Sequence, residues 1–129
     1  MARILIADDD AELLPLIQRA LMTAGHEALV ACDGNQALEL VRAGPVDAAI
    51  LDIYMPEKDG IETIMDLHRQ HPGIKIIAIT GSAPQTGKAM LAMARRLGAH
   101  RAMAKPFTAD ELLEAVGEVL AGPSELPPR

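Results

Sequence analysis

The strongest constraint on this chain is a rhythm: short apolar runs alternate five times with stretches of helical periodicity. The central run, Val46-Asp47-Ala48-Ala49-Ile50-Leu51, ends on Asp52, and the opening run, Ile4-Leu5-Ile6-Ala7, ends on Asp8-Asp9-Asp10. Runs of this length read as strands buried on both faces, the pattern of a parallel sheet with helices on each side. In such a sheet the ligand crevice opens at the carboxyl ends of the strands, so Asp52 and the Asp8-Asp9 pair stand at its rim.

If those two strands are neighbours, three or four carboxylates crowd one small volume. At about 5 Å and an effective dielectric near 20, each like-charge pair costs about 3 kcal/mol, which calls for a cation. Hard oxygen ligands suit Mg²⁺ or Mn²⁺, with waters retained and a phosphate oxygen as a further ligand. Asp10 reads instead as the cap of the helix that follows.

That helix is expected over about 11–24, with Gly25 as its stop and Pro15 near the end of its first turn, so that it starts late or loses one hydrogen bond. A strand over 27–31 follows, then Asp33 caps a helix over 36–42 that Gly44-Pro45 ends. After Asp52, Met55-Pro56 and Asp59-Gly60 supply turn chemistry before a helix face of Ile61, Ile64, Met65 and Leu67. A fourth strand over 74–79 closes on Thr80-Gly81. A mobile loop containing Pro84 and Gly87 is expected before a helix over 88–97, where Met90 and Met93 read mostly as core with part left as an adaptable partner surface. A last strand over 101–104 delivers Lys105-Pro106, and Thr108 with Glu111 forms a capping box for the final helix.

At 129 residues this is one domain, expected over 1–121, with a Pro-rich tail over 122–129 and no effector domain. The core must be aliphatic, since the chain carries one Tyr, one Phe and no Trp. The net charge of −6 and the scattered Lys and Arg residues argue against direct nucleic-acid binding. The single cysteine, Cys32, excludes an internal disulfide and is expected as a small core residue. The amino-terminal apolar run is too short for a signal peptide or a membrane span, so the expected compartment is the cytoplasm.

Four of the five strands therefore end on Asp8-Asp9, Asp52, Thr80 and Lys105. Packing does not require this. It is an inventory for phosphoryl transfer to a carboxylate: acids to hold a metal, one acid to attack, and a hydroxyl and an ammonium to take charge on the phosphoryl oxygens.

The same residues, in the order Asp8-Asp9, Asp52-x-x-Met55-Pro56, Asp59-Gly60, Thr80 and Lys105-Pro106-Phe107, resemble the receiver domain of two-component response regulators from about Arg3 to Leu120. The resemblance implies a flavodoxin-like (βα)₅ fold, a doubly wound parallel five-stranded sheet of order 2-1-3-4-5. It implies that Asp52 accepts a phosphoryl group from a phosphohistidine of a sensor histidine kinase or phosphotransfer protein. By the same resemblance, Asp9, Asp52 and the Tyr54 carbonyl would ligate Mg²⁺, with Asp8 acting largely through a water. Thr80 and Lys105 would contact phosphoryl oxygens, and the Lys105-Pro106 bond is expected to be cis. The protein would be no enzyme beyond catalysing its own Mg-dependent phosphorylation and dephosphorylation. It is expected as a stand-alone signalling module, a monomer or weak homodimer, with about 88–120 as its binding face.

Two departures stand out. Family members usually carry Tyr or Phe where this chain has Ala102, so the aromatic part of the switch is expected to be absent, leaving Thr80 and the following loop to move. Tyr54 is large for a position bordering the path of the hydrolytic water, which predicts slow dephosphorylation. Other readings are weaker. The stretch from Gly81 to Ala89 looks like a nucleotide-binding loop, but its glycine spacing is one residue too long and Ala89 stands where Ser or Thr would hold Mg²⁺. Asp8-x-Asp10 is similar to the start of haloacid-dehalogenase-type phosphatases, yet Glu12 stands where Thr or Val is expected. His68 and His71 have metal-ligand spacing but read as a solvated helix end. The alternative of another class is a pseudo-receiver, an interaction module that is never phosphorylated. Its mark would be a lost acid or lysine, and all are present.

Overall fold

A computed structural model describes residues 2–53, 60–81 and 84–122, with the side chains at 84–88, 90 and 91 excepted. Five strands and five helices alternate: β1 (Arg3–Ala7), α1 (Leu13–Thr23), β2 (Glu27–Ala31), α2 (Gly34–Ala43), β3 (Ala48–Asp52), α3 (Gly60–Gln70), β4 (Lys75–Thr80), α4 (Pro84–Leu97), β5 (Arg101–Ala104) and α5 (Ala109–Ala121). All the strand pairs are parallel and the sheet order is β2-β1-β3-β4-β5, the doubly wound flavodoxin-like arrangement.

The two-residue period of the strands divides the core. Leu5, Ala7, Ala49, Leu51, Ile76 and Ala78 join α2, α3 and α4 on one face of the sheet. Ile4, Ile6, Ala48, Ile50, Ile77, Ile79 and Met103 join α1 and α5 on the other. Because β1, β3 and β4 are central, their side chains are buried almost throughout. No helix among the described residues is long and apolar enough to cross a membrane.

Local chemistry explains most element ends. Asp33 caps α2 by accepting the Gln36 N–H at 2.9 Å. The Thr108 hydroxyl accepts the Glu111 N–H while the Glu111 carboxylate accepts the Thr108 N–H, the expected capping box. At the end of α1, Gly25 has φ +92°, and the N–H groups of Gly25 and His26 return to Met22 and Leu21 in a Schellman arrangement.

The first helix begins at Leu13, the late start expected from Pro15, and Asp10 closes the turn before it by accepting the Glu12 and Leu13 N–H groups. Pro15 then lies within the first helical turn, where its missing N–H has no intrahelical partner to lose. The fourth helix begins at Pro84, so the long loop expected there is largely helix. Proline suits a first helical position because its φ is already helical and its nitrogen need not donate. Cys32 is exposed, not core, because it follows the last residue of β2, an edge strand. Met93 is also exposed, on the partner-surface side of its two expected roles.

Candidate functional site

The site stands where the carboxyl ends of β1, β3, β4 and β5 meet. β1 and β3 pair in register through Ala7 and Leu51, so the next residues, Asp8 and Asp52, emerge side by side. One oxygen each from Asp8, Asp9 and Asp52 lies within 4.8 Å of the others, and no other group of three or more candidate metal ligands occurs among the described residues. Asp8 is 0% and Asp52 4% exposed, whereas Asp9 opens to solvent. His68 and His71 build no such centre, and His68 packs against Gly98.

The Asp8 carboxylate accepts the Asp10 N–H through Oδ1 at 2.9 Å, a turn that aims Oδ2 inward. Lys105 Nζ lies 2.9 Å from Asp8 Oδ2 and 3.3 Å from Asp52 Oδ2. Only the Asp52 contact has hydrogen-bond geometry, so Asp8 Oδ2 is a fully buried acceptor without a hydrogen bond. Three carboxylates that share one ammonium carry excess negative charge, which a hard divalent cation, or a water bound to it, would offset. The donor set therefore fits Mg²⁺ or Mn²⁺.

Burial favours the neutral amine of Lys105, but pairing with Asp8 and the charges of Asp52 and Asp8 outweigh it. Its pKa stands above the ordinary 10.5. The ammonium thus supplies a permanent positive charge beside Asp52. Thr80 is buried at the end of β4, one residue beyond the partner of Asp52, and its carbonyl accepts the Lys105 N–H at 2.8 Å. The Lys105-Pro106 bond is cis, as expected. Ala102 is half-buried in β5 and no ring occupies that position. The expected Tyr54 carbonyl ligand, Met55-Pro56 and Asp59 lie outside the described residues.

Two glycines complete the site. Gly60 suits a turn and Gly81 a strand end, but both make close approaches that such local chemistry does not reveal. The Gly60 N–H donates to the Ile53 carbonyl at 2.9 Å, and a Cβ at residue 60 would overlap the Asp52 carbonyl oxygen and come within 2.6 Å of Ile53 Cα. Gly81 lies under the stem of Lys105.

Comparison with known proteins places the chain in a family. Residues 4–117 match the response regulator receiver domain. The chain is 36% identical over 120 residues to the transcriptional regulatory protein CpxR of Klebsiella pneumoniae, covering 93% of this chain and 50% of that protein. It is 30% identical over 118 residues to the alkaline phosphatase synthesis transcriptional regulatory protein PhoP of Bacillus subtilis, covering 92% and 48%. The chain therefore spans about half the length of the curated relatives it matches. A CheY-like receiver domain protein from Methanospirillum hungatei superposes with a TM-score of 0.85 at 30% identity, covering 93% of this chain and 94% of that one. The receiver domain of NtrX from Brucella abortus gives 0.87 at 28% identity, covering 93% and 99%.

Proposed function

From the premise that this chain belongs to the response regulator receiver domain family, whose members take phosphoryl groups from histidine kinases, we propose that Asp52 is its phosphoryl acceptor. The donor is a phosphohistidine of a sensor histidine kinase or phosphotransfer protein. An Asp52 carboxylate oxygen forms a bond to phosphorus as the bond from phosphorus to the histidine nitrogen breaks, and the imidazole leaves and takes up a proton. The product is an acyl phosphate on Asp52.

The residues around Asp52 serve this step in distinct ways. Lys105, kept charged, faces the oxygens where negative charge spreads in an in-line transition state. The Thr80 hydroxyl donates to another of these oxygens. Asp8, Asp9 and Asp52 would hold Mg²⁺, with the Tyr54 carbonyl as the further ligand that the family resemblance implies, and the ion would supply positive charge to offset that of the incoming phosphoryl group. The protein is otherwise no enzyme: its chemistry is its own phosphorylation and the later hydrolysis of its own acyl phosphate.

The observation that carries this reading is the ammonium of Lys105, which bridges Asp8 and Asp52 inside a three-carboxylate cluster. A pseudo-receiver would be marked by a lost acid or lysine, and this chain keeps Asp8, Asp9, Asp52 and Lys105. Output is phosphorylation-dependent protein binding in the cytoplasm, through a face on α4, β5 and α5 where Met93, Arg95 and Arg96 are exposed. The same face would carry a weak homodimer. What the longer relatives do through their remaining halves is theirs.

The test is acid-labile labelling by acetyl phosphate with Mg²⁺. The parent protein takes up phosphate to near one per chain and Asp52→Asn takes up none. Stoichiometric labelling of Asp52→Asn would end the proposal, and failure of the parent to label would favour the pseudo-receiver.

A further inference from the structure

Lys105 starts on an edge strand and acts at the centre of the sheet. The order β1-β3-β4-β5 puts β4 between its backbone and both acids it contacts, Asp52 on β3 and Asp8 after β1. Neighbouring strands are separated by about 4.8 Å, so the stem must run over the end of β4 to reach Asp52. The last β4–β5 pair is Thr80 with Ala104, which makes residue 81 the cross-strand neighbour of Lys105. The alternation of the strands also puts residue 81 on the side of Ile77 and Ile79, the side that Met103 and Lys105 share on β5.

We propose that Gly81 is a positioning residue for phosphoryl transfer: its missing side chain is the gap through which Lys105 crosses β4 to reach Asp52. A Cβ at residue 81 would meet Lys105 Cδ at 3.3 Å, Cβ at 3.8 Å and Cγ at 4.0 Å, along the stem rather than at the charged tip. The Cδ contact is tighter than ordinary carbon packing allows, so the stem must lift by a few tenths of an ångström. The ammonium has no such slack, since its hydrogen bond to Asp52 is already 3.3 Å long. Gly81 is exposed and its φ is not in the left-handed region, so neither burial nor backbone conformation demands glycine there. What demands it is the lysine. The size of residue 81 thereby becomes a control on how well Lys105 can meet a phosphoryl oxygen.

This inference rests on the role proposed for Asp52, and its test has one arm that does not. Acetyl phosphate labelling rates are measured for the parent, Gly81→Ala and Gly81→Val, and for the same substitutions in a Lys105→Met background. A displacement of 1 Å at a catalytic group can cost about a hundredfold, so Gly81→Ala should slow labelling about threefold and Gly81→Val at least about tenfold. With Lys105→Met present, the same substitutions should change the rate by less than about twofold, because the group they displace is gone. Equal losses in both backgrounds would overturn the proposal, and so would a parent-like rate in Gly81→Val. The second arm is a crystal structure of Gly81→Val. Lys105 Nζ moved out of reach of Asp52 supports the crossing, and an unmoved Nζ overturns it. If the parent takes up no phosphate, the role of Asp52 fails by itself and the crystal structure still decides the hold of Gly81 on Lys105.

Discussion

Replacing Lys105 with Met tests the electrostatics of the site directly. Methionine fills nearly the same volume, so the packing change is small and the lost charge dominates. The substitution leaves Asp8, 0% exposed, and Asp52, 4% exposed, as buried like charges within 4.8 Å of each other. At an effective dielectric near 20 that repulsion is about 3.5 kcal/mol, within the range of about 3–5 kcal/mol for removing one partner of a buried pair. Metal-free Lys105→Met should therefore lose about 3 kcal/mol, a fall in Tm of about 10 °C for a domain of this size. Saturating Mg²⁺ replaces the missing positive charge, so it should raise the Tm of the variant more than that of the parent. Asp52→Asn in the same background removes one of the two buried charges and should recover most of the loss. Thermal melts by circular dichroism, in chelator and in Mg²⁺, read all of these. A variant as stable as the parent in chelator, or equal Mg²⁺ shifts for both, would refute the account of Lys105 as the internal counter-ion.

Gly60→Ala drives a methyl group into the Asp52 carbonyl oxygen and Ile53 Cα, so the end of β3 must shift. Overpacking of this kind costs about 1–3 kcal/mol, and labelling at Asp52 should fall far more than the melting temperature does; parent-like labelling would contradict the close approach. The raised pKa of Lys105 also sets a pH dependence with a definite sign. The folded, metal-free protein holds this proton more tightly than the unfolded chain does. The stabilisation is therefore complete below the ordinary lysine pKa and is lost as pH rises through the higher folded value. Urea titrations of parent and Lys105→Met should converge at high pH, and parallel curves would show that Lys105 contributes nothing there.

Legibility in the sequence followed the range of the interaction. Ile4 to Ala7 and Ala48 to Leu51 are apolar without interruption, and only strands covered on both sides bury such runs, so β1, β3 and the rim position of Asp8 and Asp52 could be read directly. The Thr108–Glu111 box and the Asp33 cap were equally legible, because a cap is a contact between residues three apart. The start of α4 was misjudged because Pro84 is both a turn residue and a good first helical residue, and nothing nearby distinguishes the two. Cys32 was misplaced because an apolar run does not show which of its ends leaves the sheet at an edge.

What the sequence determined by itself was the alternation of strands and helices and the set of polar side chains that end the strands. Both follow from local periodicity. The meeting of those side chains was decided only by the tertiary structure. The strand order brings Asp8 beside Asp52 and obliges Lys105 to reach across β4. The two glycines belong to the same category, because the need for a missing side chain at residues 60 and 81 comes from atoms on other elements. Such a constraint arises between strands that the chain visits far apart in sequence, and it exists only after the sheet has assembled.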